Sequence, residues 1–172
     1  MFFLPFLLII SKAFPTLLRL LYRFCLLQKV VHHPQYSDFN IFELEFAREL
    51  DSRNVLWMRN PANGFLKIPL LDGKGTDTFN PDFIVWPENE ILALDTKGSH
   101  LIAEDSNRKL FYIEKACEGK ELTIRLVSEK KYNERQEVID TSGYTVWMVK
   151  QGTICPTTCS TLKDAVDICI NS

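Results

Sequence analysis

The feature that most constrains the fold of this chain is a pair of apolar runs within residues 79–98. The sequence there is Phe-Asn-Pro-Asp-Phe-Ile-Val-Trp-Pro-Glu-Asn-Glu-Ile-Leu-Ala-Leu-Asp-Thr-Lys-Gly. The polar segment Pro87–Glu90 separates the runs, so we expect two adjacent antiparallel strands, Pro81–Trp86 and Ile91–Thr96, joined by a turn. The second strand starts with four consecutive apolar residues, which is typical of a strand buried on both faces. The chain is therefore expected to form a sheet covered on both sides.

A helix is predicted before this strand pair, from about Asn40 to Asp51 or Ser52, with Asp38 or Asn40 as its cap. At 3.6 residues per turn, Glu43 falls inside the apolar face of that helix. A buried carboxylate is costly unless a cation meets it. Two interpretations of Glu43 are equally favoured. It is either a ligand of a metal ion, in addition to the two aspartates described below, or the partner of a nearby arginine in a salt bridge.

Strands and helices are also predicted on either side of these elements. The predicted strands are Asn54–Arg59, Phe65–Leu71, Glu121–Ser128 and Tyr144–Lys150, and the predicted helices are Asp105–Cys117 and Leu162–Ile170. The order helix, strands, helix, strand, strand predicts an α/β fold: a mixed central β-sheet flanked by helices on both faces.

The breaker-rich segment His32–Asp38 suggests a domain boundary. We expect an apolar N-terminal helical segment and linker at 1–34, one domain at 35–152, and a C-terminal tail with a short helix at 153–172. Residues 16–31 have a helical pattern, which favours packing against protein, with a membrane-surface helix as the alternative. Membrane anchoring ranks last, because Lys12, Arg19 and Arg23 interrupt the apolar residues.

Charge and cysteine content limit the class of protein. The formal net charge of the 172 residues is -2, so attraction to nucleic acid has to come from a local patch or from another chain. The five cysteines are odd in number, which favours a reducing, cytoplasmic setting over a disulfide framework. Cys155 and Cys159 are interpreted as ordinary thiols, because no second Cys or His pair follows at zinc-finger spacing.

The two predicted strands bring chemistry-bearing residues together. Asp82 and Asp95 can lie side by side near one end of the antiparallel pair, and Lys97 shares the face of Asp95 because side chains alternate along a strand. Two carboxylates, with the backbone carbonyl of Thr96, would bind Mg²⁺, or Mn²⁺ as the alternative. Lys97 would orient or deprotonate a water, or stabilise charge at a phosphate. The pattern indicates phosphodiester hydrolysis.

Pro81-Asp82, twelve intervening residues and Asp95-Thr-Lys97 resemble the motif of the PD-(D/E)xK nuclease superfamily, whose core is a helix, three or four strands, a helix and a further strand. The chain more narrowly resembles the C-terminal nuclease domain of type III restriction enzyme subunits and their DEAD/DEAH-box helicase relatives. That resemblance spans about Asn40 to Gly152 and is carried by Phe42–Asp51, Trp57–Pro61, Phe79–Val85, Leu94–Leu101, Arg125–Ser128 and Gly143–Trp147.

The resemblance implies a metal-dependent DNA endonuclease domain with Asp82, Asp95 and Lys97 as the catalytic motif and Glu43 as the acid of the first helix. Such domains usually follow an ATP-driven motor, but neither Gly-x4-Gly-Lys-[Ser/Thr] nor Asp-Glu-x-His is present. We therefore expect no ATP site in this chain, with a helicase/ATPase or methyltransferase subunit as a partner besides DNA. The alternative is a non-catalytic DNA-binding or subunit-docking remnant.

Basic residues near the predicted site are candidate phosphate contacts. Arg59, Arg108 and Lys109 are the three candidates, with solvated surface charge as the simpler interpretation of each.

Overall fold

The computed structural model describes residues 25–26, 35–36, 39–60, 66–69, 78–87, 90–96, 116–117, 120–150 and 153–171. Within these ranges, the elements in chain order are β1 (Cys25–Leu26), β2 (Gln35–Tyr36), α1 (Ile41–Asp51), β3 (Leu56–Arg59), β4 (Ile68–Pro69), β5 (Thr78–Phe79), β6 (Phe83–Trp86), β7 (Glu90–Asp95), β8 (Ala116–Cys117), β9 (Lys120–Tyr132), β10 (Val138–Lys150), β11 (Thr153–Cys159) and α2 (Leu162–Asn171).

The main sheet has the strand order β11-β10-β9-β7-β6-β3, and β8 also pairs with β9. β3, β6 and β7 form an antiparallel meander, and β9, β10 and β11 form a second one. The two meanders meet where β7 pairs with β9 in parallel. Such a pair needs a crossover connection, which residues 96–119 supply. The predicted α/β class with a mixed sheet is confirmed.

The sheet is buried on both faces, as the apolar run Ile91–Leu94 predicts. Leu92 and Leu94 of β7 face the core cluster that contains Phe46 of α1 and Val166 of α2. Ala93 faces a second cluster, on the opposite side of the sheet. Both described helices therefore pack on one face.

On the second face of the sheet, the described residues that cover it include a short pair of strands. Its buried cluster contains Ile68 of β4 and Phe79 of β5, which pair as a small separate sheet. Of the helix predicted at residues 105–117, only Ala116 and Cys117 lie in the described ranges, and they form β8. The helix prediction is wrong for these two residues, because antiparallel pairing with Glu121 and Lys120 takes up their backbone groups.

The N-terminal segment also departs from its predicted helix at one point. Cys25–Leu26 is a strand, and its partners Gln35–Tyr36 belong to the segment interpreted as a linker. Apolar residues alone do not separate a helix from a short strand, and here the pairing with a later segment decides. The rest of the helix predicted over residues 16–31 lies outside the described residues.

The segment assigned to a C-terminal tail, 153–172, contains the predicted short helix and a strand that was not predicted. Thr153–Cys159 is an edge strand that pairs with β10 over all seven residues, and α2 contributes Ala165, Val166 and Cys169 to the first core cluster. Pro156 obscured the strand in the sequence, since proline in a strand is tolerated mainly at an edge. The tail thus belongs to the same sheet and core as the residues before it.

Helix α1 begins where its cap predicts. The Asn40 side chain accepts a hydrogen bond from the Glu43 backbone N–H at 2.8 Å, and the Glu43 carboxylate accepts from the Asn40 backbone N–H at 3.3 Å. This reciprocal pair is a capping box, which satisfies two N–H groups at the helix start.

The hairpin of β9 and β10 contains a bulge that depends on a glycine. Gly143 has φ +83°, a left-handed conformation between Asp140 and Tyr144, where the register shifts. A Cβ atom there would lie 2.5 Å from the Cys159 carbonyl oxygen and 2.7 Å from Lys131 Cε. The bulge therefore brings β10 close to the end of β11.

Helices in the described part of the chain fall short of the length and apolar character needed to cross a membrane.

Candidate metal centre

The two aspartates of the predicted motif lie at one end of the β6–β7 pair. Asp82 directly precedes β6, and Asp95 is the last residue of β7. The outermost recorded pair is Phe83 with Leu94, so the next position sets Asp82 opposite Asp95. Cβ atoms at opposed antiparallel positions are about 4.5–5.5 Å apart. Asp95 is buried, with 5% of its surface exposed, and Asp82 is half-buried.

Thr96 holds the carboxylate of Asp82 against the end of β7. Asp82 Oδ2 accepts a hydrogen bond from the Thr96 backbone N–H at 3.0 Å and another from the Thr96 hydroxyl at 2.7 Å. Oδ2 accepts both hydrogen bonds, and no donor among the described residues forms a hydrogen bond to Asp82 Oδ1. The carboxylate is therefore fixed in position next to the residue that follows Asp95.

The backbone of Asp82 is held from the other side by β3. Asn60, directly after β3, donates its backbone N–H to the Asp82 carbonyl at 2.8 Å. The Asn60 side chain is 3% exposed and bonds to the Pro81 carbonyl at 3.0 Å. In the sequence, Asn60 begins the segment Asn-Pro-Ala-Asn-Gly64, which is typical of a turn. A polar residue directly after a buried strand was the one available signal that Asn60 contributes to this region.

Glu43 has the arginine partner that one of its two interpretations anticipates. Its Oε2 lies 3.1 Å from Arg59 Nη2, and its Oε1 accepts from Asn40 Nδ2 at 2.7 Å. Arg59 in turn lies over the ring of Phe39, 4.2 Å from the centroid. The side chain of Glu43 is 5% exposed and that of Arg59 18%, so the pair is largely withdrawn from water.

The three predicted acids are not assembled around one point. Across the ranges that the structure describes, no group of three His, Cys, Asp or Glu residues is arranged to hold a metal ion. Asp82 and Asp95 are brought together, whereas Glu43 faces Arg59 and the helix cap. The sequence could not separate these outcomes, because helical periodicity shows that Glu43 points inward but not which cation it meets.

Lys97, Arg108 and Lys109 lie outside the described residues. Arg59, the remaining candidate for a phosphate contact, is placed in the ion pair with Glu43 instead of on an open surface. Thr96 is 3% exposed, and its hydroxyl and N–H both serve Asp82.

Two carboxylates fit a hard divalent cation. Mg²⁺ binds proteins through one or two carboxylates and completes its octahedral shell with water and phosphate oxygens. Asp82 and Asp95 supply such a pair at opposed strand positions. The donor set is all oxygen, which favours Mg²⁺ or Mn²⁺ over softer metals.

Of the three cysteines in the C-terminal region, Cys169 is buried, and Cys155 and Cys159 are partly exposed. Burial raises the pKa of Cys169 to about 12. Burial, with Asp164 nearby, raises the pKa of Cys159 to about 11. Both thiols therefore stay protonated at neutral pH, and unreactive as nucleophiles.

Comparison of the chain with protein-family models, with curated proteins and with solved structures gives no match.

Proposed function

We propose that this chain is a metal-dependent nuclease domain that hydrolyses phosphodiester bonds in DNA. The observation that carries the proposal is the pair of acids at the end of β6 and β7. Asp82 opposes Asp95, and two hydrogen bonds from Thr96 fix the Asp82 carboxylate. Two carboxylates placed side by side repel each other, and a divalent cation bound between them would stabilise both.

The order of the elements supports the same proposal. Helix α1 is followed by the antiparallel strands β3, β6 and β7, and after the crossover by β9, parallel to β7. These described elements follow the order that the resemblance to the PD-(D/E)xK superfamily implies, and residues 105–115 of the predicted second helix lie outside the described residues. On the same resemblance, we assign the domain to the restriction nuclease part of a type III-like system without its helicase motor. Its partners would be DNA and a helicase/ATPase or methyltransferase subunit.

Each residue of the motif has a separate task in this proposal. Asp82 and Asp95 would hold Mg²⁺ through their carboxylates, and the Thr96 carbonyl would add a further oxygen. The bound cation supplies charge compensation at the phosphate and lowers the pKa of water. Lys97 takes the proton of the attacking water or stabilises the phosphate charge. The Glu43–Arg59 pair holds α1 to β3 and leaves the binding of the cation to the two aspartates.

Cleavage of plasmid DNA in Mg²⁺ or Mn²⁺ tests the proposal. We expect nicking or cutting that EDTA abolishes and that Asp82→Asn and Asp95→Asn each reduce below detection. Lys97→Ala should lose about 10²–10⁴-fold in rate, as removal of a proton-transfer group does. Asp140→Asn is the matched control, because it makes the same chemical change in the β9–β10 hairpin. Cleavage that persists in EDTA, or in the Asp82 and Asp95 variants, contradicts the proposal.

A non-catalytic DNA-binding or subunit-docking remnant is the second candidate. It is favoured by Glu43, the acid of the first helix, which Arg59 and Asn40 engage so that no three-acid group forms in the described residues. Salt-sensitive DNA binding without turnover in any divalent cation would support this candidate over the nuclease.

A further inference from the structure

Asn60 is a buried polar residue to which the motif assigns no task. It is 3% exposed, lies directly after β3, and makes hydrogen bonds to two segments distant from it in sequence. Its Nδ2 atom is 3.0 Å from each of three acceptors: the Leu66 carbonyl, Asn80 Oδ1 and the Pro81 carbonyl. Its Oδ1 accepts from the Leu66 backbone N–H at 3.5 Å.

The surroundings of Asn60 require a neutral side chain that both donates and accepts. Three oxygens surround Nδ2, so its two hydrogens are shared among three acceptors, while Oδ1 faces an N–H group. An aspartate at this position would turn a carboxylate oxygen toward those three oxygens. An alanine would remove the donor that the Leu66 and Pro81 carbonyls share.

The segment that Asn60 holds is the one that leads into Asp82. The ring of Pro81 fixes its φ near about -65°, and the anchored Pro81 carbonyl fixes the remaining backbone rotation. The Asn60 backbone N–H then holds the Asp82 carbonyl at 2.8 Å. Together these bonds set the direction in which the Asp82 side chain leaves the backbone, while Thr96 holds its far end.

We propose that Asn60 is a positioning residue that preorganises Asp82 for cation binding. This inference rests on the proposed function in one respect, namely that Asp82 and Asp95 bind a divalent cation. Asn60 acts through backbone atoms and does not touch the cation. Removing a hydrogen-bond partner that orients a metal ligand typically weakens metal affinity by about 10–100-fold.

The test is a Mn²⁺ titration in which free Mn²⁺ is followed by electron paramagnetic resonance. We expect Asn60→Asp and Asn60→Ala to raise the Mn²⁺ dissociation constant by about 10–100-fold. Asn60→Ser, which keeps one donor, should fall between these variants and the unaltered protein. If Asn60→Asp does not fold, Asn60→Ser provides the comparison, and urea denaturation establishes which variants are folded.

A stability control separates positioning from general weakening of the fold. Val146→Ala removes two methyl groups from β10 in the core, where Val146 is fully buried, away from the β3–β6 ladder. It should lower the free energy of unfolding while the Mn²⁺ dissociation constant changes by less than about twofold. An equal loss of affinity in Val146→Ala and in the Asn60 variants overturns the inference.

The outcomes also separate this inference from the proposed function. Folded Asn60 variants that bind Mn²⁺ as tightly as the unaltered protein overturn the positioning role, even if DNA is cleaved. Mn²⁺ binding that depends on Asn60, in a protein that cleaves no DNA, supports the positioning role and contradicts the nuclease. Absence of Mn²⁺ binding in the unaltered protein overturns both.

Discussion

Glu43 is a buried carboxylate that bonds to its own helix cap and to strand β3. The backbone and side chain of Asn40 hold it at the start of α1, and Arg59 reaches it from β3. Separating a buried ion pair destabilises a fold because it leaves a buried charge uncompensated. The Glu43–Arg59 pair therefore fixes how α1 lies on the sheet. The sequence predicted the inward direction of Glu43 from helical spacing, but the choice of partner depends on the packing of β3 beneath α1.

Replacing Glu43 distinguishes a structural acid from a metal ligand. Glu43→Gln keeps the size of the side chain but removes the negative charge that faces Arg59, so we expect the free energy of unfolding to fall by about 1–3 kcal/mol. The Mn²⁺ dissociation constant should stay within about twofold. Urea denaturation and Mn²⁺ titration measure the two quantities, with the exposed Glu45→Gln as the control. A loss of Mn²⁺ affinity comparable to that of Asp95→Asn would restore Glu43 as a ligand.

Asp140 gives the chain a defined acid sensitivity. Hydrogen bonds from the Ser142 backbone and hydroxyl, followed by Lys131, lower the pKa of Asp140 to about 2. In the unfolded chain its pKa is about 3.9, so the unfolded state binds more protons between these values. The contribution of Asp140 to stability is therefore present above about pH 4 and is lost as the pH falls towards 2. Asp140→Asn should flatten the pH dependence of urea denaturation in that window.

The exposed acid Glu134 provides the comparison for this effect. Glu134→Gln changes a carboxylate in the turn of the same hairpin without removing the bonds to Ser142 and Lys131. Its pH dependence should follow that of the unaltered protein. A slope for Asp140→Asn that equals the slope for Glu134→Gln would show that the Ser142 and Lys131 bonds do not persist in solution.

At the scale of elements, the sequence predicts those helices and strands that have a regular apolar pattern and clear end signals. Helix α1, the pair β6–β7 and helix α2 were predicted within one or two residues, because each has a strong apolar pattern and breakers at its ends. β11 and β8 were not predicted as strands. β11 contains a proline and β8 has only two residues, so each forms a strand because a neighbouring strand pairs with it. That Asp82 and Asp95 lie side by side could be predicted from the β6–β7 hairpin alone. The contact of Asn60 with Pro81 depends on how a third strand, β3, pairs with that hairpin.

The bulge in β10 can be tested through its glycine. Gly143→Ala places a Cβ in a left-handed conformation and within 2.5 Å of the Cys159 carbonyl, so both backbone strain and a clash oppose it. We expect a loss of about 1–3 kcal/mol in the free energy of unfolding, measured with urea. Thr141→Ala, at an exposed neighbouring position, should change it by less than about 0.5 kcal/mol. A Gly143→Ala variant as stable as the unaltered protein would mean that β10 adopts a different register there.

For the molecule as a whole, the first core cluster joins helix α1 to helix α2, the last described element. Phe46 and Leu50 of α1 share this cluster with Val166 and Cys169 of α2, and Val85 of β6 lies among them. Arg53 adds a polar link, since its Nε is 2.9 Å from Asp167 and its Nη2 is 2.8 Å from the Lys163 carbonyl. The two meanders of the sheet should therefore unfold together.

Cys169 reports on that cooperative unfolding. Burial raises the pKa of its thiol to about 12, so alkylation at pH 8 requires the core to open. Because a stable domain opens globally only rarely, iodoacetamide should label Cys169 about 10³-fold more slowly in the native protein than in urea, as peptide mass spectrometry would show. Cys155 of β11 is partly exposed and should be labelled without global unfolding. Equal labelling rates for the two cysteines in native buffer would mean that α2 detaches independently.

The parallel pairing of β7 with β9 has a consequence during synthesis. The N-terminal meander emerges from the ribosome first, and the outer edge of β7 stays without its partner until β9 has been made. A strand that is apolar on both sides and has an open edge readily pairs with other chains. Translation products that terminate within the crossover should accordingly aggregate, and efficient expression would depend on prompt completion of the second meander or on chaperone protection of β7.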